Sequence, residues 1–202
     1  MKVALIGASG NAGQRLHAEL VSRNHAVTAI ARNQEKVQPL DRTRAMAGDI
    51  DAPEALAEIL SGHDAVISSV MFVAFDPEKL LHAVQSSDVP RYLVVGGAGS
   101  LEVAPGVKLI DSPDFPDAYR AEAEAGGAYL DRLKRTDGLD WTFLSPSAVF
   151  EAGERTGTFR LGTDQLIAGP EGSRISYEDF VVAMVDELEE PKHSRARFTV
   201  GY

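Results

Sequence analysis

Two hydrophobic periods alternate along the chain. Runs of consecutive apolar residues, typical of parallel strands buried on both faces, are followed by stretches in which apolar residues recur every three or four positions, typical of amphipathic helices. The first pattern predicts strands at 2–6, 26–31, 44–47, 64–70, 91–96, 140–145 and 196–200. The second predicts helices at 11–23, 34–38, 53–61, 77–88, 118–136 and 176–189. Strands that alternate with helices indicate an α/β fold built on a doubly wound parallel sheet.

Two segments, 97–117 and 146–175, interrupt the alternation, and both are rich in Gly, Pro and Asp. Long loops in compact domains are usually functional or disordered. Each segment follows a predicted strand, which places it at the carboxyl edge of the sheet, where open α/β sheets bind ligands. We therefore expect a single domain over 1–202 in which both segments line a substrate pocket, with 146–175 as a small C-terminal pocket region.

The first predicted strand runs directly into three glycines, Gly7, Gly10 and Gly13. A phosphate-binding turn needs glycine to reverse the chain, to bring the main chain close to a diphosphate and to pack the next helix on the sheet. The helix that starts near Asn11 would direct its unpaired N–H groups at the anion. The spacing is one residue longer than the common G-x-G-x-x-G. We predict a dinucleotide site formed by Gly7, Ser9, Gly10, Asn11, Ala12 and Gly13; the alternative is a glycine-rich turn without a ligand.

Arg32 follows the second strand, 19 residues after Gly13. In a dinucleotide fold an acidic residue near this position binds the ribose 2′-hydroxyl, whereas an arginine meets a 2′-phosphate. No acidic residue precedes Arg32 at the strand end. The sequence therefore predicts NADP(H), with NAD(H) left open; the alternative is a solvent-facing loop arginine.

The third and fourth strands also end in candidate cofactor contacts. Asp49 could accept a hydrogen bond from the adenine amino group while Ile50 packs on the ring, or Asp49 could cap the helix that begins at Pro53. Ser68, Ser69 and Val70 would lie along the central part of the cofactor, or they could simply terminate the strand.

Composition narrows the function classes. The net charge of −10 opposes nucleic acid and anionic membranes as partners. Cysteine is absent, which excludes disulfides, thiolate nucleophiles and cysteine metal sites, and the five histidines lack metal-ligand spacing, so we expect no metal. Neither an 18-residue apolar run nor a secretory leader appears, so we expect a cytoplasmic protein; the sequence leaves the oligomeric state open.

Several segments together resemble a known family. They are Gly7–Gly13, Leu93–Val103, Asp114–Pro116, Asp140–Pro146, Gly153–Gly157, Arg174–Ser176 and Arg197–Val200. The chain is similar to atypical short-chain dehydrogenases/reductases of the NAD(P)H-binding and NADH-flavin reductase subgroup, and more distantly to biliverdin reductase B and NmrA-like proteins. The resemblance implies a Rossmann-type fold, a reduced nicotinamide cofactor and a flavin or similar planar acceptor.

The resemblance also suggests residues on the nicotinamide side. Gly96, Gly97 and Ala98 would border the nicotinamide, and Pro146, after Ser145, would lie on its carboxamide side unless the pair only forms a strand-ending turn. The segment Gly97–Gly99 leaves room for a flat ring. Apolar walls could come from Met71, Phe72 and Phe115, each of which could equally be a core residue.

The chain departs from typical short-chain dehydrogenases at the proton donor. Those enzymes use a serine and a Tyr-x-x-x-Lys pair in which the lysine lowers the tyrosine pKa. Here the candidates are Ser100 and Tyr119, and Ala123 stands where the lysine would be. A phenol without a nearby cation has a pKa of about 10 and is a poor acid or base at neutral pH.

These observations favour an NAD(P)H-dependent oxidoreductase that passes hydride to a flavin, quinone or similar planar acceptor, because such acceptors stabilise the resulting anion and take their proton from solvent. Two alternatives stay open. One is a non-catalytic, NmrA-like dinucleotide sensor, and the other is an epimerase- or dehydratase-like enzyme that acts on a small metabolite.

Overall fold

The computed structural model describes all 202 residues, Met1–Tyr202. Its strands are β1 Lys2–Ile6, β2 Ala26–Ala31, β3 Thr43–Ala47, β4 Ala65–Ser68, β5 Tyr92–Val95, β6 Glu102–Ala104, β7 Val107–Lys108, β8 Trp141–Pro146, β9 Val149–Glu151, β10 Arg160–Gly162, β11 Arg174–Ser176 and β12 Ala196–Gly201. Its helices are α1 Asn11–Ser22, α2 Pro53–Leu60, α3 Pro77–Ser86, α4 Asp117–Lys134 and α5 Tyr177–Glu189. Short 3-10 turns occupy Gln34–Lys36, Phe72–Ala74 and Leu109–Asp111.

Eight of the strands form one sheet in the order β10-β12-β8-β5-β4-β1-β2-β3. The sheet is mostly parallel, and β10 is antiparallel to its neighbour β12. Strand order reverses at β1, which has β2 on one side and β4 on the other. This arrangement confirms the predicted α/β, doubly wound Rossmann-type fold, and the reversal between β1 and β4 is the place where such sheets bind ligands.

The chain divides into two compact units. The first unit is Met1–Val94 with Gly138–Trp141, and the second is Val95–Asp137 with Thr142–Tyr202. The predicted extent of a single domain over 1–202 stays a prediction.

The first unit is built on parallel strands that are buried on both faces. Val3–Ile6 of β1 is buried throughout, with Val3 opposite Val27 of β2 and Ala65 of β4. Helix α1 buries Leu16 and Leu20. Removing such side chains from water contributes about 1.5–3 kcal/mol each, which is why the consecutive apolar runs form strands here.

The second unit contains Thr142–Pro146 of β8, all of which are buried. Strand β12, the parallel neighbour of β8, places Phe198 opposite Leu144. Helix α5 begins with Ser176 as its N-cap, and the Ser176 side chain accepts a hydrogen bond from the Asp179 N–H. The helix then buries Phe180 and Met184 completely.

The two segments predicted as loops contain five short strands. Segment 97–117 holds the β6–β7 hairpin, and segment 146–175 contributes to β9, β10 and β11. These strands have two or three residues each, too few for a hydrophobic period to show in the sequence. Strand β4 also ends at Ser68, two residues before the predicted end, because the chain turns there around Gly7.

Candidate functional site

The turn after β1 is held by main-chain hydrogen bonds. The N–H groups of Gly7 and Ala8 donate to Ile30 O at 3.0 and 3.1 Å, and the Gly10 N–H donates to Gly7 O at 3.0 Å. Gly7 has a φ of +82°, a left-handed conformation that side chains rarely adopt. The turn is therefore preformed by backbone geometry alone.

Two of the three glycines are required by packing. A Cβ on Gly7 would lie 2.1 Å from Ser69 O and 2.9 Å from Val70 Cγ1, and a Cβ on Gly13 would lie 2.0 Å from Gly7 O. Any side chain at either position would displace main-chain atoms. Ser69 and Val70, both predicted cofactor contacts, thus wrap the glycine turn, and the Ser69 N–H donates to Ile6 O at 2.9 Å.

Gly10 differs from those two glycines. Its dihedral angles, φ −76° and ψ 170°, are ones that any residue adopts. A Cβ there would have Gly7 O at 3.4 Å and Ser69 O at 3.8 Å as its nearest neighbours, which are ordinary contacts. The fold gives no reason for glycine at this exposed position, which suits a ligand that lies directly against the main chain.

Helix α1 offers the positive partner for such a ligand. Gly10 is its N-cap, no side chain caps it, and its first turn carries no acidic residue. Asn11 is exposed while Ala12 and Gly13 are buried, so solvent reaches the first turn of α1 at its N-terminal end. The half-buried Ser9 accepts a hydrogen bond at its carbonyl from Gln14 Nε2 at 2.9 Å. Uncapped N–H groups and the helix dipole together stabilise a bound anion.

Arg32 follows the last residue of β2 and is exposed. Its side chain makes no hydrogen bond or ion pair with the rest of the chain, unlike Arg23, which pairs with Glu19 at 2.8 Å. A free guanidinium beyond this strand can form the bidentate contact that a phosphate offers.

Asp49 lies exposed after β3, and its Oδ1 accepts a hydrogen bond from the Asp51 N–H at 3.0 Å. The N-cap of α2 is Ala52, which has no side-chain cap, so Asp49 does not cap that helix. Ile50, next to it, is half-buried. Asp49 thus holds the turn before α2 through its hydrogen bond with Asp51, and the adenine contact stays a prediction.

Ser68 is a core residue. It is 2% exposed, and its hydroxyl forms a 2.8 Å hydrogen bond with the buried Tyr92 hydroxyl. Phe72 is also buried, whereas Met71 is 62% exposed. Among these predicted contacts of the first unit, Met71 therefore presents an apolar surface to solvent, and Ser68 and Phe72 do not present their side chains.

In the second unit, the glycines after β5 are explained largely by packing. A Cβ on Gly96 would lie 2.2 Å from the Phe143 ring, and a Cβ on Gly99 would lie 2.6 Å from Ala123 Cβ on α4. Gly97 and Ala98 between them are half-buried and form the accessible part of this segment.

Ser100 is held by a buried arginine. Arg197 Nη1 donates to the Ser100 hydroxyl at 2.9 Å and to its carbonyl at 3.1 Å, and Arg197 Nε donates to Asp164 at 2.9 Å. A cavity of about 240 Å³ beside this pair is lined by Lys108 and Lys134 among others. The Ser100 hydroxyl is thus engaged by a cation within the second unit.

Tyr119 lies in the first turn of α4 and is 66% exposed. Its hydroxyl has no hydrogen-bond partner within the chain, and Ala123 one turn later packs on Gly99. Phe115 is half-buried, with the Arg120 guanidinium 5.5 Å from its ring centroid. No cation assists Tyr119 as lysine does in typical short-chain dehydrogenases.

At the carboxyl end of β8, Ser145 and Pro146 are both buried. The Ser145 carbonyl accepts a hydrogen bond from Thr199 Oγ1 at 2.9 Å, but the Ser145 hydroxyl has no partner. A buried hydroxyl without a partner is uncommon and marks a place where a ligand or water completes the hydrogen bonding.

A family comparison explains this geometry. The sequence model of an NAD(P)H-binding family matches residues 7–188. The chain belongs to this NAD(P)H-binding family. Binding of a nicotinamide dinucleotide is the property for which this family is named. The match confirms the resemblance to atypical short-chain dehydrogenases/reductases inferred from the sequence.

Individual relatives of this NAD(P)H-binding protein carry different names. The uncharacterized protein YwnB of Bacillus subtilis is 42% identical over 213 residues, which cover 99% of this chain and 98% of YwnB. A solved structure named "putative epimerase", from Bacteroides thetaiotaomicron, is 39% identical and has a TM-score of 0.94. The match covers 100% of this chain and 96% of the Bacteroides chain. A structure named "putative NADH-flavin reductase", from Streptococcus pneumoniae, is 37% identical and has a TM-score of 0.84. The match covers 100% of this chain and 99% of the Streptococcus chain.

Sequence reasoning missed one cluster of this NAD(P)H-binding protein. Asp179, which is completely buried, accepts hydrogen bonds from the Thr156 N–H, the Thr156 hydroxyl, the Gly157 N–H and the Tyr202 hydroxyl. The partners of Asp179 lie more than 20 residues away in the sequence, so no local pattern indicates them.

Two further structural findings bear on the predicted partners. No group of three or more His, Asp or Glu side chains is placed to hold a metal ion. None of the five helices combines the length and apolar character needed to cross a bilayer. The cytoplasmic location and the small-molecule acceptor stay predictions.

Proposed function

We propose that this protein is an oxidoreductase that prefers NADPH and transfers hydride to a flavin or a similar planar acceptor. The observation that carries the proposal is Gly10, a glycine that neither backbone strain nor packing requires, at an uncapped helix N-terminus. The name of the Streptococcus relative supports a flavin as the acceptor.

The first unit would hold the dinucleotide. The N–H groups at the start of α1 would bind its diphosphate, and Asp49, with one carboxylate oxygen unused, would accept from the adenine amino group. Arg32, which has no partner in the chain, would bind a ribose 2′-phosphate and so favour NADPH over NADH. When bound, the reduced nicotinamide supplies a hydride.

A planar acceptor fits the residues of the second unit. Tyr119 has neither a cation nor a hydrogen-bond partner to tune it, and the Ser100 hydroxyl already accepts from Arg197. Tyr119 therefore has no group beside it that would help it to deliver a proton in the reaction. A flavin or quinone needs no such donor, because its reduced ring stabilises negative charge and takes a proton from solvent. Gly97 and Ala98 would give it a flat surface.

The test is a turnover assay on the purified protein. The absorbance of NADPH and of NADH is followed with flavin mononucleotide, riboflavin, a naphthoquinone and an aldehyde, with Gly10→Asp as the variant that cannot bind the dinucleotide. We expect oxidation with a flavin or quinone, faster with NADPH, and none with the aldehyde. Dinucleotide binding without oxidation by any of these acceptors contradicts the proposal and favours a sensor.

An epimerase is the second candidate, because the Bacteroides relative carries that name. Such an enzyme removes and returns a hydride within one metabolite, so it would retain oxidised cofactor through purification. The pair Tyr119 and Ala123 argues against it, since sugar and alcohol oxidation needs a base and an exposed phenol without a nearby cation is a poor one.

A further inference from the structure

The Asp179 carboxylate fixes one turn of the second unit from several directions. Its Oδ1 accepts from the Gly157 N–H at 2.8 Å, and its Oδ2 accepts from the Thr156 N–H at 3.1 Å and the Thr156 hydroxyl at 2.5 Å. Gly157 has a φ of +67°, so the chain reverses there and brings both N–H groups to the same carboxylate. We call Gly153–Gly157 the anchored turn.

Neighbouring residues complete the attachment. The Gly153 N–H donates to Glu178 Oε2 at 2.8 Å, and the Ser176 hydroxyl donates to Glu154 O at 2.9 Å. Tyr202 donates to Asp179 Oδ2 at 2.7 Å and lies 2.8 Å from the Ser176 hydroxyl. Main-chain groups at both ends of the anchored turn are thus hydrogen-bonded to the N-cap and the first turn of α5.

The anchored turn lies at the carboxyl edge of the parallel pair β8 and β12. Strand β8 ends at Pro146 and leads into the turn through β9, and β12 ends at Gly201, next to Tyr202. Helix α5 precedes β12 and runs back toward its start, so the first turn of α5 lies at the same edge. Ligands of open α/β sheets bind outside this edge.

Hydrogen bonds stabilise the charged form of the Asp179 carboxylate. Burial acts to raise the pKa of Asp179, but hydrogen bonds from Thr156, Gly157 and Tyr202 outweigh it and hold the pKa below the ordinary value. Burial and the hydrogen bond to Asp179 raise the pKa of Tyr202, so its hydroxyl remains a donor at neutral pH. A buried carboxylate with four donors orders the segment that supplies them.

We infer that Asp179 is a positioning residue for the acceptor: it holds the anchored turn as a fixed wall at the carboxyl edge and does not take part in dinucleotide binding. This inference rests on the proposed function. None of the atoms that bind Asp179 belongs to the glycine turn or to Arg32, so weakening the anchor should affect the acceptor and spare the dinucleotide.

The experiment compares three threonine variants. Thr156→Val keeps the size of the side chain and removes its 2.5 Å hydrogen bond to Asp179, and Thr156→Ser retains the hydroxyl. Thr142→Val is the matched control, because it removes a hydroxyl that donates at 2.5 Å to His193 O at the opposite end of β8. Each variant is measured for Tm, for NADPH Kd by calorimetry, and for KM and kcat with flavin mononucleotide.

We expect Thr156→Val to raise the KM for flavin mononucleotide about 10-fold, because the anchored turn loses a charge-assisted hydrogen bond and then positions the acceptor less well, with the NADPH Kd unchanged. Thr156→Ser should restore the KM, and Thr142→Val should lower Tm without changing the KM. An unchanged KM in Thr156→Val, or an equal rise in Thr142→Val, overturns the positioning role alone. If the wild-type protein binds NADPH but oxidises it with none of the acceptors tested, the proposed function is overturned, and this inference is overturned with it.

Discussion

The glycine turn of the first unit and the anchored turn of the second unit are fixed by opposite means. Gly7 and Gly13 allow main-chain atoms to approach so closely that any side chain would collide with a carbonyl oxygen. The anchored turn is held instead by side chains, above all by Asp179. A surface made of backbone suits a ligand common to a whole family, whereas a surface held by particular side chains can change from one member to the next.

The largest effect on stability is expected from a substitution that disrupts the glycine turn. Gly13→Ala places a Cβ 2.0 Å from Gly7 O, where no flexible atom can yield. We expect a loss of stability above the about 1–3 kcal/mol typical of overpacking, and little soluble protein. Urea unfolding measures the loss, with Gly10→Ala as the control that should unfold near the wild-type midpoint. A Gly13→Ala protein of wild-type stability would show that the turn is not packed as described.

Gly10→Asp separates folding from binding. Aspartate is a favoured N-cap and carries a charge that suits a helix N-terminus, so the unliganded protein should gain a few tenths of a kcal/mol. The same carboxylate should weaken dinucleotide binding by at least about 100-fold, because it occupies the place of the diphosphate and repels it. Thermal unfolding and calorimetry give the two values, and the uncharged Gly10→Asn separates bulk from charge. Undiminished affinity would place the cofactor elsewhere.

Arg32→Ala tests the proposed preference for NADPH over NADH. Loss of a bidentate contact to phosphate should weaken NADPH binding by about 1.5–3 kcal/mol, or about 10- to 150-fold, and leave NADH binding nearly unchanged. Arg44→Ala, on the neighbouring strand β3, makes the same change of charge without touching the proposed site. Equal losses for both dinucleotides, or for both variants, would contradict the role of Arg32.

The smallest effect concerns acid stability of the anchored turn. Because the folded-state pKa of Asp179 lies below its ordinary value of 3.8, its contribution is fully present above pH 3.8 and is lost as pH falls through the folded pKa. The free energy of unfolding of Asp179→Asn should therefore start lower at pH 6 and fall less steeply toward pH 3 than that of the wild type. Parallel curves for the two proteins would show that Asp179 is not the titrating group.

The same contrast explains what the sequence could predict. The parallel strands of the sheet were predictable because apolar runs mark most of them, whereas the short edge strand β10 was not, and the glycine turn was predictable because its spacing is local. That Gly10 is the one glycine of the turn required by neither packing nor backbone conformation could be seen only in the three-dimensional structure. The same holds for the burial of Ser68 against Tyr92, because both hydroxyls sit in otherwise apolar strands.

Longer-range contacts left no local pattern. Asp179 finds its donors at Thr156 and Tyr202, both 23 residues away, and Arg197 finds Ser100 at a separation of 97 residues. Short polar segments such as these carry no period that would pair them. The second unit was consequently less predictable than the first.

The tie between Ser100, Asp164 and Arg197 has a bearing on redesign. The N–H of Glu102 donates to Asp164 O at 2.8 Å and the N–H of Leu166 donates to Glu102 O at 2.8 Å, so β6 and the chain around Gln165 are joined by an isolated parallel β-bridge. A graft of either stretch alone from a homologue would leave the Arg197 guanidinium facing mismatched partners. A chimera built from two relatives should therefore take both stretches, together with Arg197, from the same protein.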